Sequence, residues 1–125
     1  MHQIIRRTVY RFYIMQKEST GTLLRIFIGE SDKYEGKNLY KYLTNYLREH
    51  KYAGITVLRG ITGFGKASLI HSSDLLELSS DLPIVIEIAD TDENIDKLKT
   101  VFDETNMIGS SLITEEKVKI IKYGE

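Results

Sequence analysis

Apolar and polar residues alternate from Thr22 to Ile28, with Leu24, Ile26 and Ile28 on one side and Leu23, Arg25 and Phe27 on the other. That period of two predicts a β-strand. From Lys37 to Lys51 the period lengthens: Leu39, Leu43, Tyr46, Leu47 and His50 share one face, while Lys41, Asn45, Arg48 and Glu49 mostly point outward. An amphipathic helix follows from that spacing. Ile55 to Leu58 predicts a second strand. Pro83 to Ala89 predicts a third, opened by a proline where a missing N–H is tolerated. Asp90 to Asp92 then cap a helix whose apolar face is Ile95, Leu98, Val101 and Phe102, and a closing strand is expected around Lys117 to Ile121.

The resulting order, β-α-β-β-α-β, is that of an α+β, ferredoxin-like domain. Two helices cover one face of a four-stranded antiparallel sheet, and strands one and three lie at its centre. The other face is then half apolar, because strand one turns Leu23, Arg25 and Phe27 to it and strand three turns Val85, Glu87 and Ala89. Contiguous apolar surface of this kind marks an interface, within or across which Arg25 and Glu87 are placed to pair. A homo-oligomer is expected.

A chain of 125 residues bounds this to one compact domain. With 42% hydrophobic and 28% charged residues the composition is that of a folded globular domain, and a net charge of −1 predicts no general attraction to nucleic acid. The absence of cysteine excludes disulfides, thiolate zinc sites and cysteine nucleophiles. No run approaches the roughly 20 apolar residues that span a bilayer. Residues 1–20 read as an N-terminal extension and 21–125 as the domain. Arg6, Arg7 and Arg11 precede Met15, whereas all 18 acidic residues follow it. That basic segment is read as lying on anionic lipid, as an added strand, or as sequence upstream of a natural start at Met15.

The stretch RGITGFGK, Arg59 to Lys66, leaves strand two directly. Glycines at 60, 63 and 65 let backbone N–H groups approach an anion, and Lys66 adds a charge-assisted contact, so bound phosphate is expected here. Gly60, Gly65 and Lys66 also satisfy G-x-x-x-x-G-K, but Ala67 stands where a P-loop needs a magnesium-ligating hydroxyl, which argues against a small NTPase. Ser68, His71, Ser72 and Asp74 contain triad residue types, yet neighbours in one loop rarely reach triad geometry. His2, His50 and His71 are scattered, and Asp90, Asp92 and Glu93 fit capping better than metal binding, so no metal is expected. An RNA-binding module fails for want of stacking aromatics, since the central strands offer only Phe27. No residue set specifies a reaction, and the chain is read as a non-enzyme.

Residues 67–82 form a long loop that mixes Leu69, Ile70, Leu75, Leu76 and Leu78 with Ser, Asp and Glu. Loops of such length are commonly functional. Leu75, Leu76 and Leu78 are candidate anchors for a partner; the alternative is that they fold over a neighbouring subunit.

The order of elements, GKNLYKYL, RGITGFGK, SSDLPIVIE and LITEEKVKII together resemble the PII-like domain-of-unknown-function family 190, over about Thr22 to Gly124. The wider PII superfamily comprises trimers of ferredoxin-like subunits that bind adenine nucleotides in clefts between subunits and engage transporters, enzymes or regulators through a long loop. The resemblance therefore implies a cytoplasmic, trimeric signalling protein with ATP, ADP or AMP as ligand and no required cofactor. Its target would be a membrane transporter or channel, with peripheral recruitment to the membrane. Gly63, Phe64, Gly65 and Lys66 match the K-G-F-G-R-Q-K-G segment of PII proteins, with Lys66 in place of arginine, and Lys122 matches an arginine of the basic tail. With Arg59 and Gly60 these are the expected nucleotide-binding residues. The second glycine-rich PII loop is reduced here to Gly109, Ser110 and Ser111, and the loop glutamine that binds metal and oxo-acid is missing, so 2-oxoglutarate sensing is not expected. A trimeric scaffold that binds no nucleotide is the alternative.

Overall fold

The computed structural model describes residues 16–63 and 81–124. Strand β1 (Lys17–Gly29) leads into a small hairpin, β2 (Lys33–Tyr34) and β3 (Lys37–Asn38), then helix α1 (Leu39–Glu49) and β4 (Ile55–Arg59). Beyond residue 81 come β5 (Pro83–Asp90), α2 (Asp92–Thr105) and β6 (Leu112–Lys122). The main sheet has the order β4-β5-β1-β6 with every pair antiparallel. This is the ferredoxin-like α+β fold, with β1 and β5 at the centre as the order of elements predicts.

The core follows from register. Leu24 faces Ile88, Ile26 faces Ile86 and Ile28 faces Ile84 across the central pair, so six branched side chains project to one side of the sheet. Leu39, Leu43 and Leu47 of α1 and Ile95, Leu98 and Phe102 of α2 close over them. Burial of each such side chain stabilises the fold by about 1.5–3 kcal/mol.

Both helices are capped at each end. Asn38 Oδ1 accepts the Lys41 N–H at 3.1 Å, and Thr91 Oγ1 accepts the Asn94 N–H at 3.1 Å. The cap of α2 thus falls at the middle of the expected Asp90–Asp92 stretch, and Asp90 does something else. Its carboxylate, at the buried end of β5, accepts the N–H of Thr91 and the amide of Asn94 through Oδ1 and the N–H of Ala53 through Oδ2. That ties the entry to β4 onto the end of β5. The C-terminus of α1 closes with Tyr52 N–H on Leu47 O and Lys51 N–H on Arg48 O, a Schellman arrangement that places Lys51 at a φ of 60°.

Three elements start two or more residues away from the sequence reading. β1 starts at Lys17 and not at Thr22, because Lys17 to Gly21 pair with β6 beyond the end of β5. α1 starts at Leu39 and not at Lys37, because a hairpin precedes it: Glu35 and Gly36 both adopt positive φ, 52° and 78°, as a type I′ turn requires. β6 starts at Leu112 and not near Lys117. Its charged centre still pairs along β1, since Glu115 and Lys117 reach Lys99 and Asp92 on one side while Glu116 reaches Arg25 on the other. Residues 1–14 lie outside the described residues.

Candidate functional site

The glycine-rich stretch leaves β4 at one end of the sheet, where β5 and β6 begin and β1 ends. The Gly60 N–H donates to Pro83 O at 2.7 Å, so this amide continues the β4–β5 ladder. A Cβ on Gly60 would lie 2.8 Å from Pro83 Cγ and one on Gly63 3.3 Å from the same atom. Packing against the proline ring therefore explains the missing side chain at 60 and favours it at 63, quite apart from any ligand. Phe64, Gly65, Lys66, Leu75, Leu76 and Leu78 lie outside the described residues.

Arg59 is engaged. Its Nη2 pairs with Glu30 Oε2, and the other oxygen of Glu30 lies 3.4 Å from the Leu82 N–H. The Glu30 backbone N–H donates to Leu82 O at 2.8 Å, and its own carbonyl accepts from Asn38 Nδ2 at 3.1 Å. Glu30 thus connects Arg59 at the end of β4 and Leu82 just before β5 to the end of β1 and to the cap of α1. Sequence reading missed this residue, because its partners lie 29 and 52 positions away and no local pattern marks them. Asp32 Oδ2 and Asp81 Oδ1 accept the N–H groups of Gly29 and Ser31 nearby, giving the loop base an acidic rim.

The reduced second loop sits at the same end but on the opposite edge, some three strand spacings or about 14 Å across the sheet. Asn106 and Gly109 take positive φ of 55° and 58°, and Met107 and Ile108 are buried in the core. The Gly109 and Ser111 N–H groups donate to Asn106 O and Ile108 O. These two amides are therefore spent within the turn.

Lys122 is at the other end of the molecule. It pairs with Lys17, whereas Arg59 shares a transverse row with Ile84 and Ile28. Eleven residues of β1 separate the two rows, about 36 Å at the usual strand rise. Lys122 lines a concavity of about 380 Å³ on the uncovered sheet face, together with Ser19, Leu23, Thr56, Glu87 and Ile120. One chain does not bring Arg59, Gly60 and Gly63 together with Lys122.

The uncovered face is striped. Leu58, Val85, Phe27 and Leu112 form one apolar row across all four strands, and the next row is Thr56, Glu87, Arg25 and Thr114. Arg25 donates to Glu87 at 2.9 Å, the expected pair, and also to Glu116 at 2.6 Å. Hydrogen bonds to Glu87 and then Glu116 raise the guanidinium above its ordinary pKa. At the rim of the covered side, Asp92 is held below the usual carboxylate range, first by the Thr22 hydroxyl at 2.6 Å and then by Lys117 at 3.0 Å.

His50 stacks on Tyr46 with ring centroids 3.9 Å apart and Nδ1 2.9 Å from Tyr46 O, at the helix boundary where a structural role is expected. Among the described residues no helix is long and apolar enough to cross a membrane.

Residues 21–120 match the model of the DUF190 family, described as Uncharacterized ACR, COG1993. The chain belongs to the DUF190 family. This DUF190 chain is 42% identical over 99 residues to a UPF0166 protein of Aquifex aeolicus (strain VF5), covering 79% of the chain and 91% of the relative. It is 34% identical over 94 residues to UPF0166 protein MJ1524 of Methanocaldococcus jannaschii, covering 74% and 86%. Its fold resembles CPII from Thiomonas intermedia K12, a nitrogen regulatory PII-like protein. The form of CPII bound to ADP and bicarbonate superposes with a TM-score of 0.60 at 18% identity, covering 83% of this chain and 91% of that one. The apo form gives 0.57 at 18% identity, over 86% and 98%. The DUF190 chain therefore has the PII-like fold that the resemblance implies.

Proposed function

We propose that this chain is a non-enzymatic, PII-like regulatory protein that works as a homo-oligomer, a trimer by family resemblance, and binds an adenine nucleotide between subunits. The observation that carries the reading is the uncovered sheet face. Its apolar row Leu58–Val85–Phe27–Leu112, beside the Arg25–Glu87–Glu116 network, is suited to burial against further copies. Assembly then supplies what one chain lacks, since a second copy can bring its Lys122 to the loop base of the first.

In this reading Gly63, Phe64, Gly65 and Lys66 meet the phosphates of ATP, ADP or AMP, and Arg59 contributes only by sharing or leaving Glu30. The loop with Leu75, Leu76 and Leu78 then contacts a target, of which a membrane transporter or channel is the class proposed. Binding switches that loop only to the extent that the nucleotide prefers one of its states. The binding of ADP by CPII supports the ligand class as a likeness of fold.

Isothermal titration with ATP, ADP and AMP, with mass measured by light scattering, tests the reading. Saturable binding by an oligomer, lost in Lys66→Ala and in Lys122→Ala, is expected. Co-refolding the two variants should restore binding at about a quarter of the sites if each site draws on two copies. Heat from none of the three nucleotides, with the oligomer intact, leaves a scaffold that binds no nucleotide.

A further inference from the structure

The stretch from the β2–β3 hairpin through α1 carries a charge opposite to that of α2. Residues 33–51 contain Lys33, Lys37, Lys41, Arg48 and Lys51 against Glu35 and Glu49, whereas α2 contains Asp92, Glu93, Asp96, Asp103 and Glu104 against Lys97 and Lys99. The acidic helix is partly neutralised, because Lys117 reaches Asp92 and Lys99 reaches Asp96. The basic stretch is not: Lys33, Lys37, Lys41 and Lys51 form no ion pair with another described residue, and among the described residues the Arg48 side chain donates only to Asn45 Oδ1.

Two of these cations, Lys37 and Lys41, line a groove that has Glu49 at its far end. Lys37, Lys41, Asn45 and Glu49 recur every four residues along one exposed ridge, and Tyr42 and Tyr46 form the half-buried ridge beside it; together they bound a shallow concavity of about 540 Å³. The aromatic faces there are already in use. Tyr46 stacks on His50, Tyr34 meets Tyr42 edge-on at 5.1 Å, and Lys37 Nζ sits 5.8 Å over the Tyr42 ring. Half-buried rings engaged in this way offer a poor platform for stacking nucleobases. A lipid surface fits poorly too, because the leucines of α1 are 0–2% exposed in the core and the outward side holds no apolar face to insert. Ammonium groups and phenol edges along a groove match carboxylates presented in sequence.

We propose that the outer face of α1, between the Lys37–Lys41–Asn45 ridge and the Tyr42–Tyr46 ridge, is a docking groove for an acidic peptide segment of a partner protein. It is separate from the nucleotide reading, faces away from the uncovered sheet face, and remains available when that face is buried between copies. Asn38 on its rim also holds Glu30 O, so a docked segment sits one hydrogen bond from the residue that connects Arg59 and Leu82.

The test is titration of the full-length ¹⁵N-labelled protein with hexaglutamate peptide, followed by backbone amide shifts, beside hexathymidylate and phosphatidylglycerol vesicles. Saturable shifts concentrated between residues 37 and 49 are expected with the peptide, weakened about tenfold by Lys37→Ala/Lys41→Ala and by raising salt from about 50 to 500 mM. Both lysines are exposed, and an unchanged spectrum of the free variant confirms that it folds. Absence of shifts, shifts spread equally over Lys97, Lys119 and Lys122, or binding of the oligonucleotide or vesicles as tight as that of the peptide would overturn the proposal.

Discussion

On the sheet face covered by α1 and α2, Leu24, Ile26, Ile86 and Ile88 are fully buried, whereas on the opposite face Phe27, Leu58 and Leu112 are 37%, 46% and 62% exposed. The same strands build both faces, and alternate residues of β1 and β5 decide which side is which. The centre of the covered face is apolar because it meets two helices of the same chain. The other is divided into an apolar row and an ion-pair row, a pattern that tolerates water and also fixes the register of a partner. The first face therefore specifies the fold, and the second is free to specify association.

Damage to the first face should have the largest effect. Ile86→Ala removes a fully buried side chain between Ile26 and Val57 and should cost about 2–5 kcal/mol in urea unfolding. A loss below about 1 kcal/mol would mean that the covered face does not carry the fold. The complementary change is Leu58→Asp with Leu112→Asp, on the two edge strands of the second face. Light scattering should then report the mass of a single chain, while the unfolding free energy of that chain moves by less than about 1 kcal/mol. An unchanged oligomer would place the contact elsewhere.

A smaller effect tests where the β4 edge meets the loop. Gly60→Ala pushes a Cβ to within 2.8 Å of the Pro83 ring, which has little freedom to yield, and should destabilise by about 1–3 kcal/mol. Pro83→Ala in the same chain should recover part of that loss, a coupling read from a double-mutant cycle. A Gly60→Ala protein of unchanged stability would return this glycine to a purely ligand-binding explanation.

The covered face was legible in sequence because its signal is local: Leu24, Ile26 and Ile28 alternate, Leu39, Leu43 and Leu47 recur every four residues, and both periods survive in the fold. The apolar content of the open face was legible for the same reason, and so was the Arg25–Glu87 pair. Its row structure was less so, since Leu58 and Leu112 join Phe27 only through the register of four strands. The hairpin at Glu35–Gly36 carried a signal that went unused, an X-Gly dipeptide between short extended arms. The candidate site was the least legible part. Glycine in RGITG reads as phosphate chemistry, but Gly60 is required by Pro83, 23 positions away, and Arg59 is held by Glu30 from another strand end. Lys122 resembles a site residue by motif, yet the chain extends it to the far end of the sheet.

The rim of the covered face gives the smallest and most specific prediction, since charge there does the work that leucine and isoleucine do further in. The Asp92 carboxylate bridges the Thr22 hydroxyl and Lys117, which lowers its pKa in the folded chain below its unfolded value. The folded state therefore binds a proton there less readily than the unfolded state does. The stabilisation is fully present above the unfolded pKa, near 3.9 for aspartate, and is lost as pH falls through the folded value. Urea midpoints of the natural chain and of Asp92→Asn should differ at pH 6 in favour of the carboxylate and converge toward pH 2. Thr22→Val, which removes the larger cause, should narrow the gap at pH 6. A gap that stays constant down to pH 2 would show that the side chain acts through packing and not through its charge.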